Sequence, residues 1–287
     1  MLLARKQKQI PERLSHYTNM VSLKSILSDK EGKGICLWAF SNKHKNDDKE
    51  IRMGEYMLKR VKNVLPTNAS LLNQFGGYED SASISFNEGG VNKHMLGYGH
   101  YRLEFDLRDI GVGLLAGGLI DCEYVPESEL EEFADEYCNM KYCNMISSKF
   151  NSIPALQEKY GKCFPLVLAN LKDFIMMEND IMTKVFGLKE QQWSDEAEWR
   201  KVIQLNNQAK IHYFNGKPYV EYYLDKTYLT GITVFCTSDT IGKAQKDADD
   251  IRNFIHDREY KTGVKVEIFN ESLGETIIWN NDSAITV

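Results

Sequence analysis

The segment Ser15-His16-Tyr17-Thr18 contains four consecutive side chains that can form hydrogen bonds. The surrounding pattern predicts a short strand here, followed by a helix that begins at Thr18 or Asn19. The first turn of a helix has free backbone N–H groups and the positive end of the helix dipole, so this junction suits a phosphate or a ribose. The alternative is structural: Thr18 or Asn19 only caps the helix, and His16 is a histidine whose hydrogen bonds are made within the protein.

A second segment, residues 193–200 (WSDEAEWR), brings two carboxylates close together. Glu196 and Glu198 alternate with Ala197 just before or inside a predicted strand, so we expect them to share one face. Two carboxylates on one face repel each other unless they take part in chemistry or meet a cation. Arg200, on the same face, is a candidate cation. The alternative is a solvated strand face that carries a Glu–Arg pair.

The stretch from Phe86 to Tyr101 is rich in glycine and in aromatic and polar side chains. This composition predicts a mobile loop of the kind that often lines a ligand site. A P-loop is excluded because no Gly-Lys-Ser/Thr follows. A plain surface loop is the alternative. The residues concerned are Gly89, Gly90, His94, Gly97, Tyr98, Gly99, His100 and Tyr101.

Hydrophobic periodicity predicts the elements that must position these three segments. Helices are predicted from residue 18, over residues 47–65 with a stop at Pro66, and over residues 127–150, 165–186 and 239–259. Strands are predicted at residues 14–17, 35–40, 82–86, 101–106, 119–125, 199–205, 218–224 and 232–236, with a last strand at 264–269. The fold class is therefore α+β: one domain over residues 1–287, with a mixed, mainly antiparallel sheet at both chain ends and a helical insertion at about 127–190.

The composition is that of a globular protein and excludes several classes. Of the 287 residues, 43% are hydrophobic and 26% are charged, which excludes a disordered or collagenous chain. The net charge of −6 gives no general field for DNA or RNA. No apolar run approaches the roughly 18 residues of a spanning helix, and the basic N-terminus has no apolar core behind it. We therefore expect a cytoplasmic protein without a secretory signal and without a membrane partner.

The side chains that bind metals are scattered, so no metal is predicted. Cys138 and Cys143 are close in sequence, but no second pair of cysteines or histidines completes a zinc site. Asp47 and Glu50, with His44, leave open a metal-dependent nuclease or hydrolase. A capped helix start explains Asp47 and Glu50 without a metal.

A series of short motifs runs along nearly the whole chain. His16-Tyr17-Thr18 is followed by Ser22-Leu23-x-x-Ile26-Leu27, Leu37-Trp38 and Asn46-Asp47-x-x-Glu50. Ser83-Ile84-Ser85-Phe86, Gly97-Tyr98-Gly99, Phe105-Asp106 and Glu196-x-Glu198-Trp199-Arg200 come later. Each motif is short, but their order is specific, and in this order the chain resembles the DUF2971 family of bacterial proteins. The family name implies no activity.

The opening motif is also similar to the start of ADP-ribosyltransferase-like proteins, a resemblance that implies NAD as the substrate. In that fold a histidine on the first strand holds a ribose hydroxyl of NAD, a tyrosine packs on the nicotinamide, and a later glutamate stabilises the oxocarbenium-like transition state. The resemblance implies catalytic roles for His16 and Glu198. It implies contacts to NAD from Tyr17 and Thr18. Either Tyr98 or Tyr101 is the tyrosine on the nicotinamide, and Glu196 is the alternative to Glu198.

Two functions from different classes stay open at this point. The first is an NAD-using ADP-ribosyltransferase or NAD glycohydrolase, acting as a toxin or defence effector on a protein or nucleic-acid acceptor that the sequence does not identify. The second is a non-catalytic binding or regulatory domain, in which the polar motifs only organise loops. The sequence indicates no oligomeric state.

Overall fold

The fold is mixed α+β, with a large, mostly antiparallel sheet and several helices, as the sequence predicts. The computed structural model describes residues 10–28, 32–44, 48–64, 81–107, 119–139, 155, 158–159, 161, 184–205, 210–260, 263–280 and 283–286. Within these ranges, no helix combines the length and the apolar character needed to cross a membrane.

The main helices and the strands of the described part are numbered in chain order. The helices are α1 (Met20–Ile26), α2 (Asp48–Val64), α3 (Leu130–Asn139) and α4 (Ile241–His256). The strands are β1 (Leu14–Thr18), β2 (Ile35–Ser41), β3 (Ser81–Glu88), β4 (Tyr101–Phe105), β5 (Leu119–Asp121), β6 (Glu123–Val125), β7 (Leu188–Glu190), β8 (Glu198–Gln204), β9 (Ile211–Phe214), β10 (Lys217–Leu224), β11 (Leu229–Cys236), β12 (Lys265–Asn270), β13 (Glu275–Asn280) and β14 (Ser283–Thr286).

The chain divides into two compact units, which we name by one residue of each. The Glu198 unit comprises residues 1–8, 39–84 and 110–220, and the His16 unit comprises residues 9–38, 85–109 and 221–287. The prediction of a single domain stays a prediction. Of the predicted helical insertion, the described residues form α3, a helical turn at 184–186 and β7, so a strand lies near its end.

The His16 unit is built on a run of hydrogen-bonded strands in the order β14-β13-β12-β11-β4-β1, followed by the last residues of β3. All neighbours are antiparallel except β11 and β12, whose parallel pairing requires a crossover connection. Helix α4 forms that crossover. Its buried stripe of Ala244, Ala248, Ile251 and Ile255 follows helical periodicity and packs on β11 and β12.

The Glu198 unit contains shorter pairings. Strand β5 pairs antiparallel with β8, so that Ile120 lies opposite Arg200, and β6 pairs parallel with β7, so that Tyr124 lies beside Lys189. Helix α2 contacts α3 and β7. It buries a stripe of apolar side chains, Met53, Met57, Leu58 and Val61, at the spacing of one helical face.

The structure corrects four details of the sequence predictions. The predicted strand at 119–125 is two strands, β5 and β6, because the chain leaves β8 at Cys122 to pair with β7. The predicted loop after Phe86 contains a 3-10 helix, Lys93–Tyr98, started by the Asn92 side chain that accepts from the His94 N–H. Strand β9 was not predicted. Strand β12 is not the last, since β13 and β14 extend the sheet beyond it.

Candidate functional site

His16 lies in the middle of β1 in the His16 unit and is half-buried. Its Nδ1 donates a hydrogen bond to the backbone carbonyl of Ser85, at 3.0 Å. Burial lowers the pKa of His16 below its ordinary value, and the hydrogen bond to Ser85 opposes this only in part. The ring is therefore neutral at pH 7 with its proton on Nδ1, which leaves Nε2 as a hydrogen-bond acceptor.

Thr18 ends β1, and the chain then turns into α1. The Asn19 side chain accepts a hydrogen bond from the Ser22 N–H at 2.9 Å, so Asn19 is the helix cap that the sequence predicted as one alternative. Gly99 presses against this turn. A Cβ on Gly99 would lie 2.0 Å from the Thr18 carbonyl oxygen, so only glycine fits here.

Tyr17 points to the opposite face of the sheet from His16, because successive residues of a strand alternate. It is buried, stacks on Phe235 with ring centroids 5.9 Å apart, and accepts a hydrogen bond from the Asn92 N–H at 3.1 Å. In this position Tyr17 is a core residue. A ligand held by His16 therefore does not meet the Tyr17 ring on the same face.

The two other tyrosines implied in NAD binding have different surroundings. Tyr101 is opposite Thr18 in the β1–β4 register, so it shares the face of His16, and its hydroxyl donates to Asp247 of α4 at 2.7 Å. Burial raises the pKa of Tyr101, and the contact with the Asp247 carboxylate raises it further, as the smaller of the two causes. Tyr98 ends the 3-10 helix and is 60% exposed. Of the two, Tyr98 has the more accessible ring for stacking.

Four charged side chains form a buried cluster in the Glu198 unit: Lys189, Glu196, Glu198 and Arg200. Arg200 forms a two-point ion pair with Glu198, from Nε to Oε1 at 2.8 Å and from Nη2 to Oε2 at 3.0 Å. Lys189 contacts Glu198 Oε2 at 2.6 Å and also binds the Glu196 carboxylate. Two acids and two bases make the cluster neutral. The sequence prediction that Arg200 is the cation for Glu198 is confirmed.

The prediction that both glutamates lie on one strand face is wrong, although their side chains do meet. Strand β8 begins at Glu198, whereas Glu196 ends a 3-10 helix, Gln191–Glu196. Between them Ala197 adopts a left-handed conformation, with φ of 44°. This turn brings both carboxylates to Lys189.

The cluster is held from several sides and is closed to solvent. Glu196, Glu198 and Arg200 are each no more than 3% exposed. Arg200 Nη1 also donates to the Phe186 carbonyl at 2.8 Å, and the Glu198 N–H donates to the Tyr124 hydroxyl at 2.8 Å. Burial alone lowers the pKa of Lys189, but Glu198 and Glu196 outweigh it and raise this pKa. Lys189 is therefore charged at neutral pH.

The structure thus groups six of the seven implied site residues in three places, and the seventh, Tyr98, ends the 3-10 helix whose Met95 and Leu96 pack in one cluster with Tyr17. His16, Thr18 and Tyr101 share one sheet face of the His16 unit, and Tyr17 lies on the other face. Glu196 and Glu198 belong to the Glu198 unit. Lys189 and Tyr124 were missed by sequence reasoning, and no local pattern marks them. Tyr124 is brought to Glu198 because β6 continues from the β5–β8 pairing, and Lys189 lies beside Tyr124 in the β6–β7 pairing.

In the part of the chain that is described, no three His, Cys, Asp or Glu side chains are grouped to hold a metal ion. The side chains of His44, Asp47 and Glu50, named above for a metal-dependent alternative, lie outside the described residues. Comparisons of the chain with protein-family models, with curated proteins and with solved structures find no match. The resemblances drawn from the sequence therefore stay predictions.

Proposed function

We propose that this chain binds NAD and breaks its bond to nicotinamide, as an ADP-ribosyltransferase or an NAD glycohydrolase. The observation that supports this most is the state of His16. Its neutral ring donates from Nδ1 to the Ser85 carbonyl, so Nε2 is left as a hydrogen-bond acceptor. A ribose hydroxyl is a donor of the matching kind.

The other residues implied in NAD binding differ in how well their surroundings suit that role. Tyr98, exposed at the end of its 3-10 helix, is the better candidate for stacking on the nicotinamide, since the Tyr101 hydroxyl is bonded to Asp247. The sequence resemblance implies that Glu198, which belongs to the other unit, supplies the negative charge that stabilises an oxocarbenium-like transition state. To touch a ribose it must first release Lys189, which binds the Oε2 atom. Glu196 holds Lys189 from the other side and is well placed to keep it after that release.

The test is release of nicotinamide from NAD by the purified chain, followed by chromatography, with and without cell lysate as a source of acceptor. We expect release by the wild type and loss of at least about tenfold in His16→Ala, since the ribose loses a positioning contact. The matched control is His256→Ala, because that histidine is exposed on α4. Equal rates in both variants would remove His16 from the reaction.

A second candidate, a non-catalytic binding or regulatory domain, is favoured by a specific observation. Both carboxylate oxygens of Glu198 already accept hydrogen bonds from Arg200, in a cluster that is buried and neutral. Such an arrangement is sufficient as structure and needs no substrate. Calorimetry decides between the two: saturable NAD binding favours the enzyme, whereas no binding and no nicotinamide release leave the second candidate.

A further inference from the structure

Arg102 is a buried arginine, and among the described residues most of its N–H groups have no hydrogen-bond acceptor. It lies on β4, at the centre of the sheet of the His16 unit between β1 and β11, and is 8% exposed. Its Nη2 donates to the Thr233 hydroxyl at 3.1 Å and lies 3.8 Å from Glu104 Oε2. Across the described ranges, Nε and Nη1 have no hydrogen-bond partner. Three of the five N–H groups of a guanidinium are on those two atoms.

The strand register shows what surrounds this guanidinium. Tyr17 lies opposite Arg102 on one side and Thr233 on the other, so all three share one face. On the side of Phe235, that face continues into an apolar group of Tyr17, Met95 and Phe235, with Val91, Leu96 and Phe269 packed against it. In the other direction Glu104 faces Gly231, whose missing side chain leaves space beside the carboxylate.

The charges near Arg102 do not neutralise it fully. Glu104 is shared, because its Oε1 is 3.0 Å from Arg13 Nη1 while its Oε2 is 3.8 Å from Arg102. By register, Glu267 of β12 lies beyond Thr233 and Lys265 lies beyond Gly231 on the same face. Three cations therefore accompany two carboxylates, and the cation with open N–H groups is the buried one.

A buried charged group that lacks hydrogen bonds destabilises a fold by more than a neutral one, so proteins rarely keep it without a use. We propose that Arg102 is the centre of an oxyanion-binding site, which takes the carboxylate or phosphate group of a small ligand. The planar N–H groups of arginine match the geometry of both groups. The Thr233 hydroxyl, which accepts from Arg102, has its own proton to donate to the same oxyanion.

This site is separate from the one proposed for NAD. Arg102 and Tyr17 occupy one face of the sheet, whereas His16 and Thr18 occupy the other. If the chain does not react with NAD, the proposal of an oxyanion site is therefore unaffected. If it does not bind an oxyanion at Arg102, the proposal of NAD chemistry is likewise unaffected. The two are distinguished by the variant His16→Ala, which is expected to keep oxyanion binding.

The test is titration of the full chain with inorganic phosphate and, separately, with acetate, following the melting temperature and the heat of binding at constant ionic strength. Saturable binding of either anion is expected, and the arm that binds defines whether the ligand group is a phosphate or a carboxylate. Arg102→Met is expected to weaken that binding by about tenfold or more. Lys243→Met is the matched control, because Lys243 is an exposed cation of the same unit that lies on α4.

A structural role for Arg102 predicts something different. Met in place of an arginine with unmade hydrogen bonds is expected to leave the anion-free protein as stable as the wild type, whereas loss of a purely structural arginine would lower its melting temperature. If Arg102→Met does not fold, Arg102→Lys keeps the charge without the planar N–H groups and is expected to bind several-fold more weakly. No saturable binding of either anion by the wild type, or wild-type affinity in the folded variants, overturns the proposal.

Discussion

Replacing Arg200 by Met is expected to destabilise the Glu198 unit by about 3–5 kcal/mol, the range found when one partner of a buried ion pair is removed. Arg200 is 1% exposed, and its hydrogen bonds include two to Glu198 and one to the Phe186 carbonyl. At about 1.5–3 kcal/mol for each charged hydrogen bond, their sum exceeds this range, but such terms are not additive. Lys189 also remains to hold Glu198, so the lower range applies.

The assay is thermal unfolding, followed by circular dichroism and by tryptophan fluorescence. Trp199 is 1% exposed and adjacent in sequence to both Glu198 and Arg200, so its emission reports on this part of the chain. For a unit of this size, about 1 kcal/mol shifts the melting temperature by roughly 2–4 °C. We therefore expect a fall of about 6–20 °C for Arg200→Met. Arg52→Met is the control, because the Arg52–Glu127 pair is exposed and contributes about 0–1 kcal/mol.

The double variant Glu198→Gln/Arg200→Met tests whether the pair itself is responsible. Each single change leaves a buried charge without its partner, whereas the double change removes both charges and leaves Lys189 with Glu196. We expect the double variant to lose less stability than the sum of the singles. A fall of less than about 3 °C in Arg200→Met, or strict additivity in the double variant, would refute a buried, coupled ion pair.

Two further predictions concern the His16 unit. Because the pKa of His16 is lowered on folding, the unfolded chain binds more protons from pH about 6.5 downward, and stability should fall as the pH falls through that window. His16→Gln should flatten this fall in denaturant titrations, while His256→Gln should not; equal slopes would contradict the assignment. Gly99→Ala should cost about 1–3 kcal/mol by overpacking against the Thr18 carbonyl. Gly97→Ala, which has nothing within 4 Å of an added Cβ, should cost less, and similar melting temperatures would count against the clash.

Local sequence patterns were enough for most of the elements that surround the candidate residues. Helices α2 and α4, and strands such as β1, β4 and β11, follow from hydrophobic periodicity and helix-stop signals. Strand β9 was missed despite a strong signal. Asn215 and Gly216 both have positive φ, of 49° and 76°, as a two-residue hairpin turn between β9 and β10 requires. An Asn-Gly pair in sequence predicts that turn.

The candidate site was predicted only where its contacts are local. Arg200 and Glu198 are two residues apart, so strand alternation alone places them together. Lys189 reaches them through the parallel pairing of β6 with β7, and no periodicity in either three-residue strand encodes that pairing. The open N–H groups of Arg102 are likewise invisible in sequence, because they depend on which side chains the strands on either side of β4 provide.

The two buried arginines show where a ligand is to be sought in this protein. The N–H groups of Arg200 donate to Glu198 and to the Phe186 carbonyl. A ligand that binds Arg200 must therefore break contacts that stabilise the fold. Arg102 is almost as deeply buried, but its hydrogen bond to Thr233 uses only Nη2. At Nε and Nη1 an oxyanion would add hydrogen bonds without removing any. Binding at Arg102 should therefore raise the melting temperature of the His16 unit. Binding at Glu198 should first require Lys189 to leave, which predicts a slower approach to equilibrium than at Arg102 in stopped-flow fluorescence. Equal binding rates at both places would show that the Glu198 cluster opens more readily than its contacts imply.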